Sequence, residues 1–191
     1  MEKIKTVIFG GSFDPIHVGH LSLASAVVES GLASEVWFMV SPQNPHKELH
    51  KLTDESVRLE MVRLAIDGNE HFKACDFEFN LPRPSYTINT LMALEESFPD
   101  REFMLLVGAD NWEKFDRWYR HDEILERYGI IVYPRDNSAV PVLPDGVIWL
   151  SAELHDVSST QIRGLVANDH SITGLVVPPV EEFINRNNLY K

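Results

Sequence analysis

Cysteine occurs once in this 191-residue chain, at Cys75. No intramolecular disulfide and no cysteine-rich metal site is available, and Cys75 reads as a small core residue of a strand. Basic residues are also scarce, 17 Lys and Arg against 29 Asp and Glu, for a formal charge of −12. That balance excludes bulk nucleic-acid binding, which needs a basic footprint to release counterions. A small anion is not excluded, because a local positive pocket suffices for one. Long apolar runs are missing. None reaches the ~20 residues of a membrane span, and the stretch that follows Met1-Glu2-Lys3 is too short for a secretory signal. The expectation is a cytoplasmic protein without membrane or nucleic-acid partners, its self-association left open. A composition of 44% hydrophobic and 24% charged residues is that of a globular chain. The length suits one domain over residues 1–191.

What the chain does contain alternates. The runs Val7–Phe9, Val36–Val40, Phe103–Val107, Ile130–Tyr133 and Val147–Leu150 are short and β-branched or aromatic. They suit strands buried on both faces, with Phe72–Phe79 as a further strand candidate. Helical periodicity fills the gaps at His20–Ser30, Asp54–Ile66, Thr87–Ser97, His121–Arg127, Ser159–Asn168 and Val180–Asn187. Alternation of this kind predicts an α/β, Rossmann-like, doubly wound fold, its sheet mostly parallel and covered by helices on both faces. Ligands of such sheets bind beyond the carboxyl ends of the strands, where polar segments follow Phe9, Val40 and Val107.

The densest of these segments is Gly10-Gly11-Ser12-Phe13-Asp14-Pro15-Ile16-His17-Val18-Gly19-His20. It is neither a P-loop nor the dinucleotide fingerprint, since no Gly-Lys-Ser/Thr and no Gly-x-Gly-x-x-Gly is present. A strand runs into a glycine turn that delivers His17 and His20 to a helix start, on one helical face. Glycine allows close approach of a phosphate, and the helix start offers unpaired N–H groups. The turn therefore suits a polyphosphate.

Other segments fit the same chemistry. In Ser41-Pro42-Gln43-Asn44-Pro45-His46-Lys47 the prolines stiffen a loop, and Lys47 is a mobile cation suited to phosphate. His46 is open between a third ligand and an exposed residue. In Pro84-Ser85-Tyr86-Thr87-Ile88-Asn89-Thr90-Leu91, Ser85 suits an N-cap. Val107-Gly108-Ala109-Asp110-Asn111 ends a strand, and its aspartate suits ribose hydroxyls. In Val157-Ser158-Ser159-Thr160-Gln161-Ile162-Arg163, Ser158 can cap a helix whose first N–H groups face phosphate. Arg163 stands one turn further in as a guanidinium fork.

The first and last of these stretches resemble the signatures of the nucleotidyltransferase superfamily, His/Thr-x-Gly-His and Ile-Ser-Ser-Thr-x-Ile-Arg. The Ser85–Leu91 segment and Trp118-Tyr119-Arg120 resemble those of bacterial nicotinate mononucleotide adenylyltransferases. The closing Val177-Pro178-Pro179-Val180 to Tyr190 segment is also similar to that family, so the likeness runs nearly end to end. It implies transfer of AMP from ATP to nicotinate mononucleotide, with Mg²⁺ carried on the ATP and no protein metal site. ATP contacts are implied at Gly10, Gly11, Ser12, Phe13, Gly19, Gly108, Asp110, Ser158, Ser159 and Thr160. His17, His20, Lys47 and Arg163 take the catalytic roles. The acceptor falls to Asn44, Lys47, Ser85, Tyr86, Thr87, Trp118 and Tyr119, with Trp118 stacking on the pyridine. Arg83 or Arg120 is expected to assist at its carboxylate. The chain departs from the family in carrying Asn89 where aspartate is usual, which puts any carboxylate role there in doubt. Three alternatives stay open. One is a transferase acting on the amide mononucleotide or on phosphopantetheine. A second is a non-enzymatic nucleotide sensor. The third is a metal module built on His17, His20 and His46.

Overall fold

A computed structural model describes residues 3–42, 52–134, 142–153 and 155–191. Its elements are β1 (Ile4–Gly11), α1 (Val18–Glu29), β2 (Glu35–Val40), α2 (Glu55–Ile66), β3 (Phe72–Cys75) and α3 (Thr87–Ser97). There follow β4 (Arg101–Gly108), α4 (Ala109–Trp112), α5 (His121–Arg127), β5 (Gly129–Tyr133), β6 (Val147–Trp149), α6 (Ser159–Ala167) and α7 (Pro178–Arg186). The strands form one sheet in the order β3-β2-β1-β4-β5-β6. Every neighbouring pair is parallel. The expected doubly wound architecture is thus present, with its switch point between β1 and β4.

Strand periodicity sorts the apolar side chains into two cores. Val7 and Phe9 of β1, with Val36, Phe38 and Val40 of β2, face Ala24 and Val27 of α1, Met61 and Val62 of α2, Ile162 of α6 and Ile184 of α7. Ile8, Trp37, Met39, Leu105 and Val107 point the other way, onto Ile88, Leu91 and Leu94 of α3 and Ile124 of α5. Sequences apolar at every position result from covering both faces.

Element ends moved in places. The Phe72–Phe79 strand stops at Cys75, and Phe77–Asn80 winds into a 3₁₀ turn closed by Phe79 N–H to the Asp76 carbonyl at 2.9 Å. A strand reading fails there because the chain must leave the sheet to reach α3. Ser85 is not the cap of α3, since Tyr86 holds that position in extended backbone. Proline at N1 starts α7 at Pro178 rather than Val180. Cys75 is buried, and burial pushes its thiol up to about 11, so it stays protonated at neutral pH. Among the described residues no helix is long and apolar enough to cross a membrane.

Candidate active site

The carboxyl ends of the central strands open into one cavity of about 550 Å³. Gly10, Gly11 and Ser12 line it from β1 and Gly108 from β4, with Met39 and Ser41 on one side and Tyr133 on the other. That is the switch-point crevice in which such sheets bind their ligands. Gly11 cannot be enlarged in place, because an added Cβ would lie 2.9 Å from the ring of Phe13. The glycine therefore lets Phe13 fold beneath the turn.

At the far end the wall becomes aromatic. Ser85, Tyr86 and Thr87 enter it from the start of α3, and Trp118 and Tyr119 from the segment before α5. The Tyr86 and Tyr119 rings stand 4.7 Å apart and are 43% and 52% exposed. Large aromatics left in water around a cavity offer faces for a planar ring.

Behind the glycine end lies a second cluster. His17 is the N-cap of α1 and His20 stands one turn inside it; their rings stack with centroids 3.7 Å apart. The His17 N–H donates to His20 Nδ1 at 3.3 Å. Phe9 and Phe13 set their edges against His20 at 5.7 and 5.1 Å, which fixes the ring's orientation. Gly19 lets Val157 and the His17 ring pack where a Cβ would be crowded, at 3.1 and 3.2 Å. Ser158 caps α6, accepting the Gln161 N–H at 3.1 Å. The Ser159 hydroxyl donates to the Pro15 carbonyl at 2.9 Å. Arg163 donates to the Asp14 carbonyl at 2.7 Å and to the Thr160 hydroxyl at 3.3 Å. The first and last motifs, 149 residues apart at this contact, are thereby joined.

The structure thus groups the expected residues in two adjoining sets. Gly10, Gly11, Ser12, Gly108, Ser85, Tyr86, Thr87, Trp118 and Tyr119 line the cavity. Phe13, His17, Gly19, His20, Ser158, Ser159, Thr160 and Arg163 stand around the turn and the start of α6. Asp110 is exposed at the start of α4, and the cavity wall takes Asn111 instead. Asn89 is exposed and does not line that wall. Asn44, His46 and Lys47 lie outside the described residues.

Neither Arg83 nor Arg120 lines the cavity. Arg83 donates to both Glu55 oxygens at 2.9 and 3.0 Å, and Arg120 donates to Glu123 at 2.7 Å. Arg117 stands in the wall in their place, the one basic side chain there among the described residues, and nothing described pairs with its guanidinium. No periodicity could have singled it out, because it lies in an isolated 3₁₀ turn. Glu78 and Thr90 also escaped the sequence reading. The Thr90 hydroxyl donates to the Glu78 carboxylate at 2.9 Å in the cavity wall. Burial pushes the Glu78 carboxyl up, opposed by hydrogen bonds from Thr90 and Ser41. Arg58 was missed too, although it falls in phase with Met61 and Val62 on the apolar stripe of α2. It is fully buried and donates to the carbonyls of Ser12, Ser41, Thr53 and Pro42 at 2.6, 2.9, 2.8 and 3.3 Å.

A doubly wound sheet whose switch-point glycine turn carries a stacked histidine pair defines a nucleotide-handling α/β protein. The cytidylyltransferase-like family model matches residues 8–165. A Bacteroides fragilis protein named probable nicotinate-nucleotide adenylyltransferase is 46% identical over 94% of this chain and 90% of its own. One so named from Cytophaga hutchinsonii is 42% identical over 98% of both. The chain belongs to the cytidylyltransferase-like family, among the nicotinate-nucleotide adenylyltransferases. Its fold is also that of Plasmodium falciparum nicotinic acid mononucleotide adenylyltransferase, solved in complex with NaAD. There the TM-score is 0.79 at 19% identity, covering 98% of this chain and 97% of that one.

Proposed function

We propose that this protein transfers AMP from ATP to nicotinate mononucleotide, releasing pyrophosphate and nicotinate adenine dinucleotide in NAD biosynthesis, with residues 1–191 acting as one catalytic unit. The observation that carries this is a cavity with a glycine-lined phosphate end and an aromatic acceptor end, adjoined at the glycine turn by the stacked His17 and His20. The names of its relatives support it.

The nucleophile is a phosphate oxygen of the mononucleotide. A phosphomonoester with its second pKa near ~6 is mostly dianionic at neutral pH, so no general base is needed. That oxygen bonds to the α-phosphorus of ATP. The bond from the α-phosphorus to the bridging oxygen breaks, and its electron pair leaves on pyrophosphate. What remains for the protein is to align two anions and to meet charge that grows on the α-phosphate and leaving group. His17, His20 and Arg163 meet that charge beside the N–H groups of the first turn and the start of α6. The loop cation Lys47 joins them, and Asn44 serves the acceptor.

Transferases of this kind that use ATP generally need a divalent metal, and we assign Mg²⁺ held by the triphosphate. Magnesium prefers phosphate oxygen and water, and when bound it neutralises phosphate charge. The capped start of α6 and the Arg163 guanidinium beside it are donors suited to the phosphate oxygens that would carry the ion.

The acid acceptor carries a carboxylate, which wants donors only, whereas an amide also wants an acceptor. Arg117, beside Trp118 and Tyr119 in the cavity wall, is the donor for it. Pyrophosphate release from Mg-ATP with the acid mononucleotide, the amide mononucleotide and phosphopantetheine tests the whole reading. Preference for the acid is expected; release with phosphopantetheine alone would overturn the assignment. Arg117→Gln is expected to cut the acid-over-amide preference about tenfold or more, the worth of a charged hydrogen bond. An unchanged ratio of kcat/KM values would remove Arg117 from the carboxylate site.

A further inference from the structure

Asp14 is 2% exposed, yet its carboxylate does not line the cavity. It sits on the back of the phosphate turn, between Phe13, held at φ 46°, and the histidines. Four elements converge on it. The Tyr190 hydroxyl donates to Oδ1 at 2.7 Å, across 176 residues of sequence. The Thr53 N–H, just before α2, donates to Oδ2 at 3.3 Å. Arg163 of α6 donates to its backbone carbonyl at 2.7 Å. Arg58, which clamps the Ser12 carbonyl, feels the Asp14 charge.

The placement of Tyr190 is specified in detail. The Leu189 N–H returns to the Ile184 carbonyl at 3.1 Å, and Asn188 and Tyr190 take φ of 50° and 65°. These turns send the chain after α7 back over α2, where the Tyr190 hydroxyl also meets Met61 Sδ at 3.8 Å. Burial and the facing carboxylate raise the phenol well above its ordinary value, so it remains a donor at any physiological pH.

We propose that Tyr190 is a positioning residue for adenylyl transfer: its hydroxyl pins the Asp14 carboxylate, and through the Asp14 carbonyl sets the guanidinium of Arg163. The proposal rests on the adenylyltransferase reading above. Its physical basis is that a group meeting transition-state charge must be held rigidly, and a small displacement costs much of its effect. Arg163 has spent one N–H on the Asp14 carbonyl, so the direction of its other donors follows that peptide.

The test is Tyr190→Phe, which keeps the ring and removes one oxygen. Expected are a fall in kcat of about tenfold, KM values for both substrates within about threefold, and a thermal midpoint lower by a few degrees, because the buried Asp14 carboxylate loses one donor. A double-mutant cycle with Arg163→Ala separates positioning from general loosening. In the Arg163→Ala background Tyr190→Phe should cost less than about twofold. Met61→Leu, which removes the sulfur contact alone, should leave kcat unchanged. Wild-type kcat in Tyr190→Phe would overturn the proposal. So would losses that multiply in the double mutant, or an equal loss in Met61→Leu. A wild-type protein inert with every mononucleotide would overturn the functional reading and this proposal with it. An active wild type beside an equally active Tyr190→Phe would overturn this proposal only.

Discussion

Replacing His20 with alanine is expected to lower kcat for pyrophosphate release about 10²–10³-fold, while KM for Mg-ATP changes far less. The ring is held on three sides, by the stacked His17 ring and by the edges of Phe9 and Phe13. A side chain so constrained cannot follow the substrate, and in the proposed mechanism its energy is spent where charge develops on the α-phosphate. Ground state and transition state carry different charge there, and only the difference accelerates the reaction. Steady-state kinetics on the purified variant, with its fold checked by circular dichroism, decide the matter. A rise in KM for ATP at unchanged kcat would mean that His20 binds both states equally and has no catalytic share.

Arg58→Met is expected to cost about 3–5 kcal/mol of stability, the range for removing one member of a buried charge network. Methionine matches the apolar volume of the side chain but supplies no donor. The carbonyls of Ser12, Ser41, Thr53 and Pro42 would lose their partner inside the protein, and Asp14 would lose the favourable charge of Arg58. A buried acceptor left without a donor costs its full desolvation. For a chain of this size the melting midpoint should fall by roughly 10 °C. Arg58→Lys should fall between wild type and Arg58→Met, since an ammonium has three donors in place of the guanidinium's five. A midpoint within about 2 °C of wild type in Arg58→Met would show that water takes over those carbonyls.

Arg58 also marks the limit of sequence reading. It lies in phase with Met61 and Val62, so its burial was recoverable from the helical period. Its purpose was not. Its acceptors come from the ends of β1 and β2 and from the segment before α2, and nothing local says that they meet. The same holds for Glu78, placed in the cavity wall because the chain leaves β3 in a 3₁₀ turn where alternation suggested more strand. Arg83 and Arg120 were reasonable partners for a carboxylate until the fold supplied each with a glutamate. Arg117 is proposed for that role because its turn faces the cavity.

By itself the sequence determined the parallel α/β plan. Apolar runs buried on both faces and separated by amphipathic helices have few other ways to cover their surfaces. It determined the glycine turn with its histidines and the serine-capped start of α6 as well, because capping and close backbone approach are local and leave short-range signatures. Tertiary structure alone decided that Arg163 answers to the Asp14 carbonyl, that Tyr190 reaches back 176 residues to the carboxylate of the same residue, and which arginine lines the cavity. Those are choices between partners of similar chemistry. Only the packing of α2, α6 and α7 against the sheet brings one of them within hydrogen-bond reach and carries the others away.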